Sequence, residues 1–251
     1  MSSIRNGEGA LMSGPESVEG AGAIPRGTQR RDIPQRSTGW AARAADAMAG
    51  AGLTPNQISV LSVVFAAFGA ALLVASAHVG TPVRSVLLVA VAVLLPLRLL
   101  ANMLDGMLAV EKGMHSPVGD LYNEVPDRLS DVLVFAAAGY ATAGAWIVGT
   151  TDVGVVLGWS AAIAAVLTAY VRSLGAANGT GNFFHGPMAK PARMWVIVAA
   201  ALVSLAEPTL PFEEGTVFAV ALVVVVAGSV ATVIVRLRLV ARRMTAEGES
   251  A

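Results

Sequence analysis

Six runs of apolar residues, each near the length that crosses a bilayer, organise the chain: roughly 56–77, 83–110, 121–144, 152–176, 191–207 and 213–236. A helix needs about 20 apolar residues to span a hydrocarbon core some 30 Å thick. The pattern therefore predicts an all-α, polytopic membrane protein with six transmembrane helices. Thr54-Pro55-Asn56 opens the first run as an N-cap followed by proline in the first turn. The second run is interrupted near its end by polar residues, and the third begins with them. Ahead of the first run, Trp40, Ala44, Met48 and Ala51 recur near helical spacing, with Arg43 and Asp46 elsewhere on the wheel. That stretch predicts an N-terminal amphipathic helix lying at the membrane surface, with Trp40 at headgroup level.

The flanks read differently. Residues 1–36 are rich in Gly, Ser, Pro, Arg and Glu and have no apolar period, so they are expected to form a disordered tail. Nothing near Arg5 supplies the continuous apolar stretch of a signal peptide. The expected organisation is a tail over 1–36, one membrane domain over 37–243 and a short C-terminal tail over 244–251.

Composition sharpens this picture. Charged residues are only 14% of the chain and apolar residues 55%, against about 25% charged in a soluble domain. Formal net charge is zero, so no global field points to nucleic acid as a partner. Cysteine is absent, which excludes disulfides, thiolate metal sites and a cysteine nucleophile. Charge placement sets an orientation. With six spans, 15 of the 17 Lys and Arg residues fall on one side or within its loops, Arg84 lies on the other, and Arg98 lies inside the second span. Positive residues stay cytoplasmic, so both termini are expected in the cytoplasm, in a bacterial inner membrane.

The chemistry-bearing stretch runs from Asn102 to Asp131, NMLDGMLAVEKGMHSPVGDLYNEVPDRLSD. Asn102 and Asp105 are three apart and share a helix face; Asn123, Asp127 and Asp131 are four apart and share a face of the next helix. Gly113, Ser116, Pro117 and Gly119 form a turn composition that returns the chain antiparallel, so the two polar faces can meet near the cytoplasmic end. Carboxylates at membrane depth cost ~2.5–3.5 kcal/mol each on insertion scales and need cations or hydrogen-bond partners. Asp and Asn oxygens suit Mg²⁺ or Mn²⁺, ions that bridge substrate phosphates. Asp105 and Asp127, each flanked by apolar sequence, are the functional candidates; Glu111 and Asp120 read as ordinary helix ends in the headgroup zone. Arg98 is expected to snorkel or to pair with an acid.

This stretch resembles the CDP-alcohol phosphatidyltransferases, whose motif is D-x2-D-G-x2-A-R-x8-G-x3-D-x3-D. The chain aligns to it without a gap. Asn102 stands at the first aspartate, Asp105 and Gly106 at the DG, Ala109 at the alanine and Val110 at the arginine. Gly119 takes the second glycine, Asn123 the third aspartate and Asp127 the last. The Thr54-Pro55-Asn56 lead-in, the six helices and the amphipathic entry segment are also similar to the family, and the asparagines mark a divergent bacterial branch. The resemblance implies a transferase of phospholipid biosynthesis that moves a phosphatidyl-type group from CDP-diacylglycerol, or a similar CDP-alcohol, to an alcohol acceptor and releases CMP. It implies two divalent ions, Mg²⁺ or Mn²⁺, held by Asn102, Asp105, Asn123 and Asp127; Glu124 and Asp131 are extra acids on neighbouring faces that restore charge, Asp131 as a further metal ligand. Asp127 takes the part of general base. Asn56, Gly106, Ala109 and Gly119 fall at substrate-facing positions, and a homodimer is implied.

A second polar segment, Tyr170 to Met194, joins spans four and five on the cytoplasmic side. Arg172, Lys190 and Arg193 are candidates to hold the phosphates of a lipid donor or acceptor, and the resemblance favours that use. His115 and His185 read as solvated loop residues. Two other readings compete: a catalytically silent CDP-lipid-binding relative or scaffold, favoured by Asn102 and Asn123, and an ion-coupled transporter, disfavoured by the lack of inverted repeats.

Overall fold

The structure is a computed structural model and describes residues 39–111, 113–114, 118–142 and 144–248; for 110, 111, 120, 247 and 248 only the backbone is described. The expected disordered tail lies outside the described residues. Seven α-helices carry the fold: α1 (Gly39–Gly50), α2 (Pro55–Ser76), α3 (Thr81–Glu111), α4 (Gly119–Tyr140), α5 (Val153–Ala177), α6 (Lys190–Val203) and α7 (Thr216–Gly248). The ribbon β1 (Ile147–Val148) and β2 (Thr151–Asp152) pairs antiparallel between α4 and α5, a small departure from the all-α expectation.

Local sequence accounts for the helix starts. Thr54 caps α2 through a full capping box: its hydroxyl accepts from Gln57 N, and the Gln57 side chain accepts from Thr54 N. Asp152 caps α5 by accepting from Val155 N. Pro96 lies inside α3 and Pro126 inside α4 without ending either helix. The fifth apolar run divides, with α6 passing into a 3-10 turn over Ser204–Thr209. The last helix continues to Gly248, past the boundary expected at 243.

Among the described residues, five helices are long and apolar enough to cross a membrane: Pro55–Ser76, Thr81–Ala109, Val153–Ala177, Lys190–Thr209 and Thr216–Ala246. The chain is a multi-pass membrane protein. α4 is not among the five, because Glu124, Asp127, Arg128 and Asp131 crowd its first four turns. Its second half is nonetheless core: Val134, Phe135, Ala137 and Ala138 are buried beside Leu95 of α3, Ile197 of α6 and Phe218 and Leu222 of α7.

Between apolar helices in lipid, close approach and van der Waals contact replace the hydrophobic drive. α4 and α5 use glycine for this. A Cβ added at Gly158 would lie 2.7 Å from Gly139 Cα, so the two backbones meet with no room for a side chain. α2 packs on α3 and α4, α5 on α4 and α7, and α6 on α3. At the end where α3 and α7 begin, Arg84 is clasped by Glu207 at 2.5 Å and donates to Ser204 O, while Glu207 also accepts from Gly215 N and Val217 N at the start of α7.

The opposite end gathers the starts of α2, α4 and α6 with the ends of α3, α5 and α7. There Ala41 and Ala45 of α1 are buried against Ile58, Leu104, Met107 and Leu108. The face that α1 buries is thus centred on Ala41 and Ala45 and turned to the bundle, and Trp40 is 50% exposed.

Candidate active site

The polar faces of α3 and α4 meet at the end of the bundle that carries α1. Asp105 lies six residues before the end of α3 and is 3% exposed. Its Oδ2 accepts from Ser59 Oγ at 2.6 Å, whereas Oδ1 is buried with no hydrogen-bond partner among the described residues. Asp127, two turns into α4, is 6% exposed. Its Oδ2 forms an ion pair with the Lys190 ammonium and sits 3.8 Å from Arg128 Nη1. Its Oδ1 lies 3.7 Å from Arg98 Nη2 and, like that of Asp105, has no hydrogen-bond partner. Asp127 and Lys190 are both within electrostatic reach of Asp105.

One turn deeper, Asp131 binds two guanidinium groups. Its Oδ1 accepts from Arg98 Nη2 at 3.0 Å and its Oδ2 from Arg193 Nη2 at 3.0 Å. All three are nearly sealed, at 0%, 1% and 3% side-chain exposure. Arg193 Nη1 also donates to Thr168 Oγ1 at 2.9 Å and to Met188 O at 3.1 Å, and Arg98 Nη2 to Asp127 O at 3.3 Å. A single carboxylate thus ties α3, α4, α5 and α6 together. At the rim, Glu124 pairs with Arg128 and with Arg172 Nη2, the latter at 2.6 Å, and the Arg172 guanidinium lies 5.5 Å from the Phe184 ring centre.

Several expected residues converge here and others are placed elsewhere. Asn102 is half-buried and donates through Nδ2 to Arg98 O at 3.2 Å, which leaves its carbonyl oxygen uncommitted by that bond. Asn123 is exposed, and Asn56, in the first turn of α2, is half-buried. Gly106 and Ala109 follow Asp105 on α3, and Gly119 opens α4. Three expected residues are engaged otherwise. Asp131 was expected as a metal ligand, but both its oxygens are spent on arginines. Arg193 was expected at substrate phosphate, but it is buried and directed at Asp131, Thr168 and Met188. Glu124, expected to restore metal-site charge, is neutralised by two arginines. Arg98 pairs with an acid, as expected. Lys112 and His115, and the side chains of Val110, Glu111 and Asp120, lie outside the described residues.

One participant and one pairing were missed. Ser59 orders Asp105; its signal is its place one turn after Asn56, a polar residue within an apolar run. The Lys190–Asp127 pair joins residues 63 positions apart and leaves no mark in local pattern.

Among the described residues, no three Asp, Glu, His or Cys side chains gather as a ready-made metal-binding group. The donors nonetheless fit a divalent cation: two buried carboxylate oxygens without hydrogen-bond partners among the described residues, on facing helices, with the Asn102 carbonyl one turn before Asp105. Hard oxygen donors of this kind suit Mg²⁺ or Mn²⁺. For a second ion only Asn123 would be added from the expected ligand set, so its balancing charge would have to come from a bound phosphate.

Fold and site define a class: a multi-pass helical membrane protein with a carboxylate site buried at one end of its bundle. Its fold is that of solved phosphatidylinositol phosphate synthases. The Mycobacterium tuberculosis enzyme in complex with manganese and citrate is 22% identical, with a TM-score of 0.62 over 80% of this chain and 88% of that one. The same enzyme with CDP-DAG bound is 21% identical, with a TM-score of 0.61 over 80% and 92%. Its apo form is 24% identical, with a TM-score of 0.59 over 79% and 94%. No protein-family model and no curated protein matches the chain.

Proposed function

We propose that this protein transfers a phosphatidyl-type group from CDP-diacylglycerol, or a similar CDP-alcohol, to an alcohol acceptor, releasing CMP. The observation that carries the reading is the pair of buried carboxylates Asp105 and Asp127, each with an Oδ1 that has no hydrogen-bond partner among the described residues, in a fold shared with a synthase that binds CDP-DAG. In the reaction the acceptor oxygen bonds to the phosphatidyl phosphorus, the bond from that phosphorus to CMP breaks, and the acceptor hydroxyl loses its proton. A divalent cation, Mg²⁺ or Mn²⁺, supplies neutralisation of the pyrophosphate and a better leaving group. Asp105 and Asp127, with the carbonyls of Asn102 and Asn123, are its proposed ligands. Ser59 holds Asp105 in one rotamer, and the Arg98–Asp131–Arg193 bridge braces the helices so that the carboxylates stay face to face. Asp127 is the proposed proton acceptor. Arg172 and Lys190 are the cations near enough to the opening to meet phosphate; Arg193 is assigned to the brace. Asn56, Gly106, Ala109 and Gly119 line the approach.

The same reading treats α4 as a sixth span, its charges satisfied within the bundle, and places both termini in the cytoplasm of a bacterial inner membrane with α1 at the interface. A homodimer belongs to this reading, with exposed apolar residues of α4 and α5 such as Leu129 and Ile163 as its candidate contact surface. One observation favours a second account, a catalytically silent CDP-lipid-binding relative: Asp127 is already paired with Lys190. Purified protein incubated with CDP-diacylglycerol, Mg²⁺ or Mn²⁺ and a panel of alcohols separates the two. Metal-dependent CMP release is expected; CDP-diacylglycerol binding without CMP release from any acceptor favours the silent relative.

A further inference from the structure

Charge inside the site is already balanced by the chain itself. Among the described residues, the carboxylates of Asp105, Asp127 and Asp131 face the cations Arg98, Arg193 and Lys190, with Arg128, itself paired with Glu124, 3.8 Å from Asp127 Oδ2 at the rim. A divalent cation entering this group would add two uncompensated charges in a largely buried place, which is costly unless a resident cation leaves.

The three resident cations are not equally free to go. Arg98 is fully enclosed and held by Asp131 Oδ1 and Asp127 O. Arg193 is held by Asp131, Thr168 and Met188. Lys190 is different. Its side chain is 25% exposed, and the polar partner of its ammonium among the described residues is Asp127. It is also the first residue of α6, where the helix dipole disfavours a cation. Its position is thus maintained by the Asp127 charge against its own helix, on a flexible stem at the open side of the site.

We propose that Lys190 is the resident counter-ion of Asp127 and competes with the divalent cation for that carboxylate. Resting on the catalytic reading above, the proposal adds that Lys190, once displaced, turns its ammonium toward the substrate phosphate. One residue then serves two states. With the site unloaded, Lys190 is the nearest of the three cations that balance the buried Asp127 carboxylate; with it loaded, Lys190 becomes a phosphate contact.

The test is Mn²⁺ affinity, read by electron paramagnetic resonance titration of free Mn²⁺ against purified protein without substrate. Lys190→Met keeps the stem and removes the charge, and should bind Mn²⁺ about tenfold more tightly or better, in line with loss of a half-buried ion pair as competitor. The same variant should release CMP more slowly, so affinity and activity move in opposite directions. Lys190→Arg, which keeps the charge, should stay closer to wild type in Mn²⁺ affinity than Lys190→Met. Arg242→Gln, which removes a charge from the exposed end of α7, should leave it unchanged. Equal or weaker Mn²⁺ binding by Lys190→Met overturns the proposal, as does Mn²⁺ binding by neither protein. If the variant gains affinity but wild type releases no CMP from any acceptor, the competition stands and the catalytic reading falls. If wild type is active and the variant gains no affinity, the reverse holds.

Discussion

Asp105, Asp127 and Asp131 occupy one short stretch of sequence, yet their surroundings assign them different work. Among the described residues, Asp105 and Asp127 each keep a buried oxygen without a hydrogen-bond partner, while Asp131 keeps none. Neutralising the first two should therefore damage chemistry and spare the fold. Asp105→Asn and Asp127→Asn are each expected to lower CMP release by at least about 100-fold, the scale of losing a positioned proton acceptor; inserted, folded protein with near-normal turnover would refute the assignment for that residue. Asp131→Asn should behave otherwise. It leaves Arg98 and Arg193 sealed in the bundle beside an amide, and breaking such a buried pair costs about 3–5 kcal/mol. Its signature should be a large fall in thermal stability in detergent and in membrane yield, greater than that of Asp105→Asn. An Asp131→Asn protein as stable as wild type would show that the arginines are held by something else.

At the scale of the element, α4 and α5 depend on the absence of side chains where they cross. A Cβ on Gly158 would fall 2.8 Å from Phe135 O as well as 2.7 Å from Gly139 Cα, all backbone atoms that no rotamer change can move. Gly158→Ala should accordingly separate the two helices and destabilise the bundle by roughly 1–3 kcal/mol, the usual cost of overpacking. Gly149→Ala should not act through packing, because nothing lies within 4 Å of a Cβ there, although its φ of 62° adds a small backbone strain. Thermal denaturation in detergent ranks the two, and an equal effect would deny the crossing its role. Since Asp127 and Asp131 share α4 with this contact, Gly158→Ala should also reduce activity through misplacement of the site.

For the whole molecule the testable quantity is orientation. Basic residues crowd the end that holds the carboxylate site, and the other end is marked by the Arg84–Glu207–Glu214 group, one cation against two carboxylates. Because the chain has no cysteine, single cysteines report topology without background. Val148→Cys in β1 and Leu210→Cys beyond the 3-10 turn should react with an impermeant thiol reagent in intact cells, and Asn178→Cys after α5 should react only once the membrane is broken. The reverse pattern would invert the assignment of both termini.

The sequence alone determined what depends on neighbours along the chain. Span lengths follow from runs of apolar residues, the start of α2 from Thr54, Pro55 and Gln57, and the approach of Asp105 to Asp127 from helical spacing and a turn between them. These are local effects, set within one or two helical turns. Tertiary structure decided which carboxylate is spent and which is left open. Asp131 and Asp127 share a face, a spacing and a residue type, so no pattern in α4 separates them. The difference comes from Arg98, Arg193 and Lys190, which reach them from α3 and α6 across as many as 63 positions of chain. Ion pairing in a buried site depends on distance in space and on the partners a group has already taken, and neither is written in the order of residues.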